Sequence, residues 1–272
     1  CVGDAWAGSL TRGIPPWRDT AVRVVGPAAA LLCDAFDETW SLAGPNLAVS
    51  ERPAPETIAP CGDTALRVIS GLPGRSRTYR TLQLLLSSAT RRLWITDAYF
   101  LTPPTLYEAL IAAARDGVDV RVLVPGRSDL PWISFLGRAG YVGLLQAGVR
   151  IFEWEGPMLH AKTVVIDGHF GRVGSSNLNL ASLLTNWELD VLVECPRFAA
   201  SLEEMFLADL ASSSELILRP SRPRFRGRFD RRAPGVARRR AHHGEAVAAA
   251  RQRFPVERAD ELHRHVLERE RG

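Results

Sequence analysis

With 272 residues, the chain is long enough for one large α/β domain or two small ones, and it can bury a sizeable core. Its content of 46% hydrophobic and 24% charged residues excludes a disordered or fibrous chain, and no run approaches the roughly 20 apolar residues that a bilayer crossing needs. The formal net charge is +4, and the basic residues are almost all arginine, Lys162 being the only lysine.

The chain begins Cys1-Val2-Gly3-Asp4, without an initiator Met or the basic and apolar regions of a signal peptide, and is expected to be a cut end. Residues 20–25 alternate like a strand. Gly26-Pro27 then opens a helix through about residue 40, proline suiting a first helical turn. The Pro-rich, polar stretch 43–63 is expected to be a linker. From 64 to 212 the pattern alternates regularly. It predicts strand 65–70, helix 77–90, strand 92–97, helix 104–116, strand 118–124, helix 131–147, strands 149–154, 159–166, 169–173 and 187–194, and helix 196–212. Such alternation predicts the α/β class, a mixed sheet flanked by helices as an αβα sandwich, with residues 64–218 as one domain.

Past Leu218 the chain turns Arg-rich. Residues 219–272 are expected to be largely disordered, with a short helix near 244–270, and to suit an anionic membrane surface or, as the weaker expectation, nucleic acid. Cys1, Cys33, Cys61 and Cys195 are scattered, without the paired spacing of zinc or redox sites; they are expected to be reduced and mostly buried, which points to a cytosolic or inner-leaflet setting. A faint internal repeat relates residues 19–36 to residues 188–206, each a strand, an X-Pro pair and a helix with Phe near its end. On that repeat, residues 1–42 read as the remnant of a first half, in which the counterpart of His160 would fall upstream of Cys1.

The stretch from Met158 to Asn179 carries the chemistry. Strand alternation puts His160 and Lys162 on one face about 7 Å apart. In a chain whose other basic residues are arginines, a lysine here suggests a need for a compact ammonium. Gly174, Ser175, Ser176 and Asn177 follow a short strand, and small residues with a hydroxyl and an amide can approach phosphate oxygens closely. Asp167 has the opposite parity to His160 and is expected to hold loop backbone. Glu188, after Asn186 and Trp187, is expected to accept the second N–H of the His160 ring. No ligand cluster for a metal is visible, and no cofactor is expected.

Together these residues match HxKxxxxD followed by GSxN, the signature of the phospholipase D superfamily. Trp94–Pro103, Ala113–Arg121 and Leu144–Val149 resemble successive blocks of bacterial cardiolipin synthases, as do Pro16–Thr20 and Gly26-Pro27. The resemblance covers residues 1 to 218, although the family builds one site from two signatures and only one is present here. It implies a phospholipase D-like fold and, for a cardiolipin synthase, transfer between two phosphatidylglycerols to give cardiolipin and glycerol through a phosphohistidine. His160 would then be the acid and base, with Lys162, Ser175 and Asn177 holding phosphoryl oxygens. Asp167 and Gly174 would be structural members of the signature. A missing N-terminal half or a second copy would complete the site, at the cytoplasmic face of the bacterial inner membrane. The alternative is a phospholipase D-type hydrolase, or a nuclease that completes its site by dimerising.

Overall fold

The computed structural model describes residues 4–52, 57–219 and 236–240. Three strands form its parallel centre: β2 (Arg92–Thr96), β3 (Asp119–Pro125) and β4 (Arg150–Trp154). The connections between them are the helices α4 (Pro104–Arg115) and α5 (Pro131–Ala147). Parallel neighbours need such crossovers. Covered on both faces, these strands carry apolar runs such as Leu93-Trp94-Ile95 in place of alternation. Both helices begin on proline, and α5 stops at Gly148, whose φ of 101° is the left-handed cap that glycine adopts without strain.

On one side of this centre lie β5 (Thr163–Ile166), β6 (Phe170–Gly174), β7 (Glu188–Glu194) and β1 (Ala65–Gly71), all antiparallel. On the other lie β8 (Ser213–Leu218) and β9 (Val236–Arg240), so the order across the sheet is β1-β7-β6-β5-β2-β3-β4-β8-β9. Helix α3 (Arg77–Ser88) packs with α4 and α5 against one face, where Leu82, Leu110 and Leu144 meet Ile95, Val122 and Val164. Helix α6 (Pro196–Leu210) covers the other face: Ala199 and Leu202 lie on Val165 and Val173, and Phe206 stacks on Trp94 at 5.3 Å between ring centres. Each of the buried leucine, isoleucine, valine and phenylalanine side chains contributes about 1.5–3 kcal/mol. The αβα sandwich expected from the alternation is therefore the fold.

Several local expectations are corrected. Residues 20–25 form no strand, because among the described residues no strand runs beside them to pair; Val22 packs instead against the α6 cluster. The strand expected over 159–166 begins only at Thr163, and residues 158–160 are hydrogen-bonded to Arg18. The first segment comprises a single turn, α1 (Asp4–Ala7), and a helix, α2 (Ala28–Ala43). Strand β8 was not foreseen, and β9 comes from within the stretch expected to lack structure, pairing Val236–Arg240 with β8. The expected helix at 244–270 lies outside the described residues. Cys33 and Cys61 are exposed and Cys195 half-buried, contrary to the expected burial.

The topology gathers four chain segments at one end of the sheet. Since β5 runs antiparallel to β2 and β6, and β7 antiparallel to β6, the end of β2, the start of β5, the end of β6 and the start of β7 all meet there.

Candidate active site

His160 and Lys162 stand at that end, just before β5. The segment from Trp17 to Asp19 runs alongside: Arg18 N–H donates to the Met158 carbonyl and His160 N–H to the Arg18 carbonyl, both at 2.8 Å. Arg18 fixes this segment to the body of the domain by a two-pronged contact with the Asp209 carboxylate of α6, at 2.9 and 2.8 Å. The planar fork favours one orientation. It carries the neighbouring Asp19 to the His160 ring, where Asp19 Oδ2 lies 2.9 Å from Nδ1.

The Trp6 indole N–H also points at Nδ1, at 3.3 Å. One nitrogen cannot both donate to the carboxylate and accept from the indole, and the shorter, charge-assisted contact to Asp19 wins. Nδ1 then carries the proton, and Nε2 is the nitrogen left for chemistry, without a partner among the described residues. Burial alone would raise the Asp19 carboxyl, but the His160 hydrogen bond, the Thr20 N–H and the charges of His160 and Lys162 hold it below its ordinary value. Three aromatic rings enclose the imidazole, with centres at 5.8 Å (Trp6), 5.4 Å (Trp17) and 6.0 Å (Tyr99).

Lys162 is brought to the same place. Its ammonium donates to the His160 carbonyl and lies 5.7 Å from the centre of the Tyr99 ring. Burial lowers its pKa to about 8; the Asp19, Asp97 and Glu188 carboxylates oppose that shift and Arg172 adds to it.

The loop after β6 is held by two buried carboxylates. Asp190 accepts from the Ser176 hydroxyl at 2.6 Å and is paired with the buried Arg172 guanidinium, which also donates to the Ser176 carbonyl. Asp97 accepts from the backbone N–H of Leu178 at 2.7 Å and of Tyr99 at 2.9 Å. Full burial pushes the Asp97 carboxyl up to about 6, against those two N–H groups and the charges of Lys162 and Arg172. Gly174 is required by crowding, since a Cβ there would lie 1.8 Å from Asp190 Oδ1. Ser175 Oγ accepts from Leu189 N–H at 2.9 Å, and the Asn177 amide donates to Ser182 at 3.2 Å while its oxygen is buried without a partner among the described residues.

Asp167 lies on the far end of β5, in the turn to β6, with φ 54°. Its carboxylate accepts from Thr90 N–H and hydroxyl, Arg91 N–H and Arg92 N–H, at 2.7–3.0 Å. Glu188 does not touch the His160 ring. It sits with Ser175, Ser182 and Asn186, and burial outweighs these hydrogen bonds and leaves its carboxyl above the ordinary value. The ring-orienting role foreseen for Glu188 therefore falls to Asp19, because the Arg18 clamp brings that carboxylate to Nδ1 from a segment 141 positions away. The internal repeat carried a usable signal, since it sets Asp19 opposite Glu188. Trp17, Asp97 and Tyr99 lie inside the family-like blocks Pro16–Thr20 and Trp94–Pro103, which gave them no role, and Trp6 had no signal. No group of His, Cys, Asp or Glu able to hold a metal ion occurs among the described residues.

A family described as "Cardiolipin synthase, PLD-like domain" matches residues 82–210, which include His160, Lys162 and the loop after β6. Cardiolipin synthase A of Pseudomonas entomophila is 34% identical over 222 residues, covering 81% of this chain and 46% of that protein. Cardiolipin synthase A of Pseudomonas putida is 33% identical over 227 residues, with the same coverage. The chain thus spans about half the length of these curated relatives. A phospholipase D family member, Nuc from Salmonella typhimurium, superposes with a TM-score of 0.49 at 23% identity, covering 56% of this chain and 98% of that one. With the signature residues assembled at one sheet end inside the matched region, the chain belongs to the phospholipase D superfamily and is cardiolipin synthase-like.

Proposed function

We propose that the chain is one catalytic half of a cardiolipin synthase-type phosphatidyl transferase, which joins two phosphatidylglycerols into cardiolipin and releases glycerol. The observation that carries this reading is the Asp19–His160 contact beside Lys162, which leaves Nε2 as the reactive nitrogen of an imidazole next to an ammonium. A second imidazole attacks phosphorus, and His160 Nε2–H protonates the departing glycerol oxygen. His160 then takes the proton from the hydroxyl of the incoming phosphatidylglycerol, which attacks the phosphohistidine and frees the first imidazole. Asp19 stabilises the imidazolium in the protonated stages. Lys162, Ser175 and Asn177 hold the phosphoryl oxygens, where charge builds up.

The second imidazole comes from a first phospholipase D-like half or from a second copy of the chain. Two features support this. The repeat relates Asp19 to Glu188, so Glu188 is placed to do for the second imidazole what Asp19 does for His160. In addition, α2 leaves Phe36 56% exposed where α6 buries the corresponding Phe206, as a helix does when the sheet it covers belongs to another segment. The substrate is an anionic phospholipid. No helix among the described residues is long and apolar enough to cross a membrane, and the chain works as a peripheral part at the cytoplasmic face of the inner membrane.

The test is cardiolipin content in cells that depend on the natural gene. His160→Ala should abolish cardiolipin. Lys162→Arg keeps the charge but puts a planar guanidinium where a compact ammonium donates, and should lower the transfer rate about a hundredfold, the scale of losing one positioned donor at a developing oxyanion. Unchanged cardiolipin with His160→Ala would overturn the assignment.

A further inference from the structure

Helix α5 is apolar on the wrong side as well as the right one. Gly137, Tyr141 and Leu144 form its buried face. Trp132, Phe135 and Leu136, one helical turn apart, are 60%, 77% and 47% exposed. A surface helix ordinarily keeps polar residues on that side. This one carries no carboxylate, and Arg138 is its sole charge.

The patch borders the site already described. Gly137 is pressed on Phe100, where a Cβ would come within 2.5 Å of the carbonyl oxygen. The Tyr99 hydroxyl donates to Asp129, just before α5, at 2.9 Å, and the Tyr99 ring packs edge-on against His160. Leu101 is bridged to Asn179, whose amide donates to the Tyr99 carbonyl, and Leu180 follows. Leu101 and Leu180, 37% and 52% exposed, thereby extend the apolar surface from α5 around the Tyr99 turn.

We propose that this surface seats the protein on the acyl–headgroup boundary of an anionic bilayer, with Trp132 and Phe135 inserted. The inference rests on the reading of the substrate as a membrane phospholipid. A lipid whose tails stay in the bilayer can bring its phosphate to His160 Nε2 only if the rim of the site meets the membrane. Apolar side chains on a helix without carboxylates fit that boundary, into which such faces sink about 5–10 Å. An indole with its polar N–H suits the headgroup level.

The test is co-sedimentation of the 272-residue chain with vesicles of phosphatidylglycerol and phosphatidylcholine, in low salt and in high salt. High salt screens the contribution of the Arg-rich residues 219–272. The expected result is partition that survives high salt and falls about tenfold in Phe135→Ser and again in Trp132→Ser, the scale of one buried aromatic side chain. Leu84→Ser, at an exposed leucine of α3, should leave it unchanged. Both aromatic positions are exposed, and thermal unfolding verifies that the variants fold. Salt-resistant partition indifferent to both substitutions would overturn the proposal, as would partition that vanishes in high salt. So would self-association abolished by Phe135→Ser without vesicle binding, which would make the face a contact between copies. Failure here with cardiolipin still dependent on His160 removes the docking surface alone; vesicle binding with cardiolipin independent of His160 removes the catalytic reading.

Discussion

The Asp19 carboxylate decides which nitrogen of His160 is available. It fixes the ring by accepting from Nδ1 and sets a negative charge beside it, two features that an amide cannot both supply. Asp19→Asn should therefore lower the transfer rate about a hundredfold. It should also change the His160 tautomer balance, read from the ring nitrogen shifts of nitrogen-15-labelled histidine, whereas a purely structural role would leave that balance as it is. Full activity with an altered tautomer would refute the orienting role. The spacing of His160, Lys162, Ser175 and Asn177 was legible because the signature lies within one hairpin and its loop. Asp19 was legible only as the repeat counterpart of Glu188; its contact with His160 was not, because its place depends on the Arg18–Asp209 clamp between segments far apart in the chain, which alternation of side chains does not encode.

Among the elements, the β5–β6 hairpin depends on Asp167, which combines a left-handed backbone with a carboxylate that grips the approach to β2. Asp167→Ala loses the bonds and keeps the unfavourable φ, and should cost about 2 kcal/mol in urea unfolding. Asp167→Gly loses only the bonds and should be milder by about 1 kcal/mol. Equal losses would mean that the φ of 54° carries no weight. The parallel strands β2 to β4 and their helices were legible in the sequence because short aliphatic runs alternate with longer segments that open on proline, at Pro104 and Pro131. Strand β5 was overextended, since Leu159 and Ala161 continue its alternation, yet Leu159 is bridged to Arg18 and the paired register with β6 begins only at Thr163. Strands β8 and β9 were missed because their partners, not their own composition, make them strands: Ser213 to Leu218 pairs with β4 on one side and with Val236 to Arg240 on the other.

The burial of Lys162 belongs to the whole molecule. Its surroundings include Asp19 from the first segment, Asp97 after β2, Arg172 on β6 and Glu188 at the start of β7, and only the assembled sheet brings these to one ammonium. Burial is the largest influence and lowers the pKa to about 8. The ammonium is therefore charged below about pH 8, the cost of burying it appears as pH falls from 10.5 through about 8, and the hold on a phosphodiester proposed for it should weaken as pH rises through about 8. Because Lys162 is the chain's only lysine, nitrogen-15 labelling of lysine yields a single side-chain signal. Titrating that signal in the 272-residue chain, with and without diethyl phosphate, tests the phosphate-holding centre most directly. A midpoint near 8 that moves upward when the phosphodiester binds is expected; a midpoint at the ordinary 10.5, unmoved by the phosphodiester, would refute a buried, phosphate-holding ammonium.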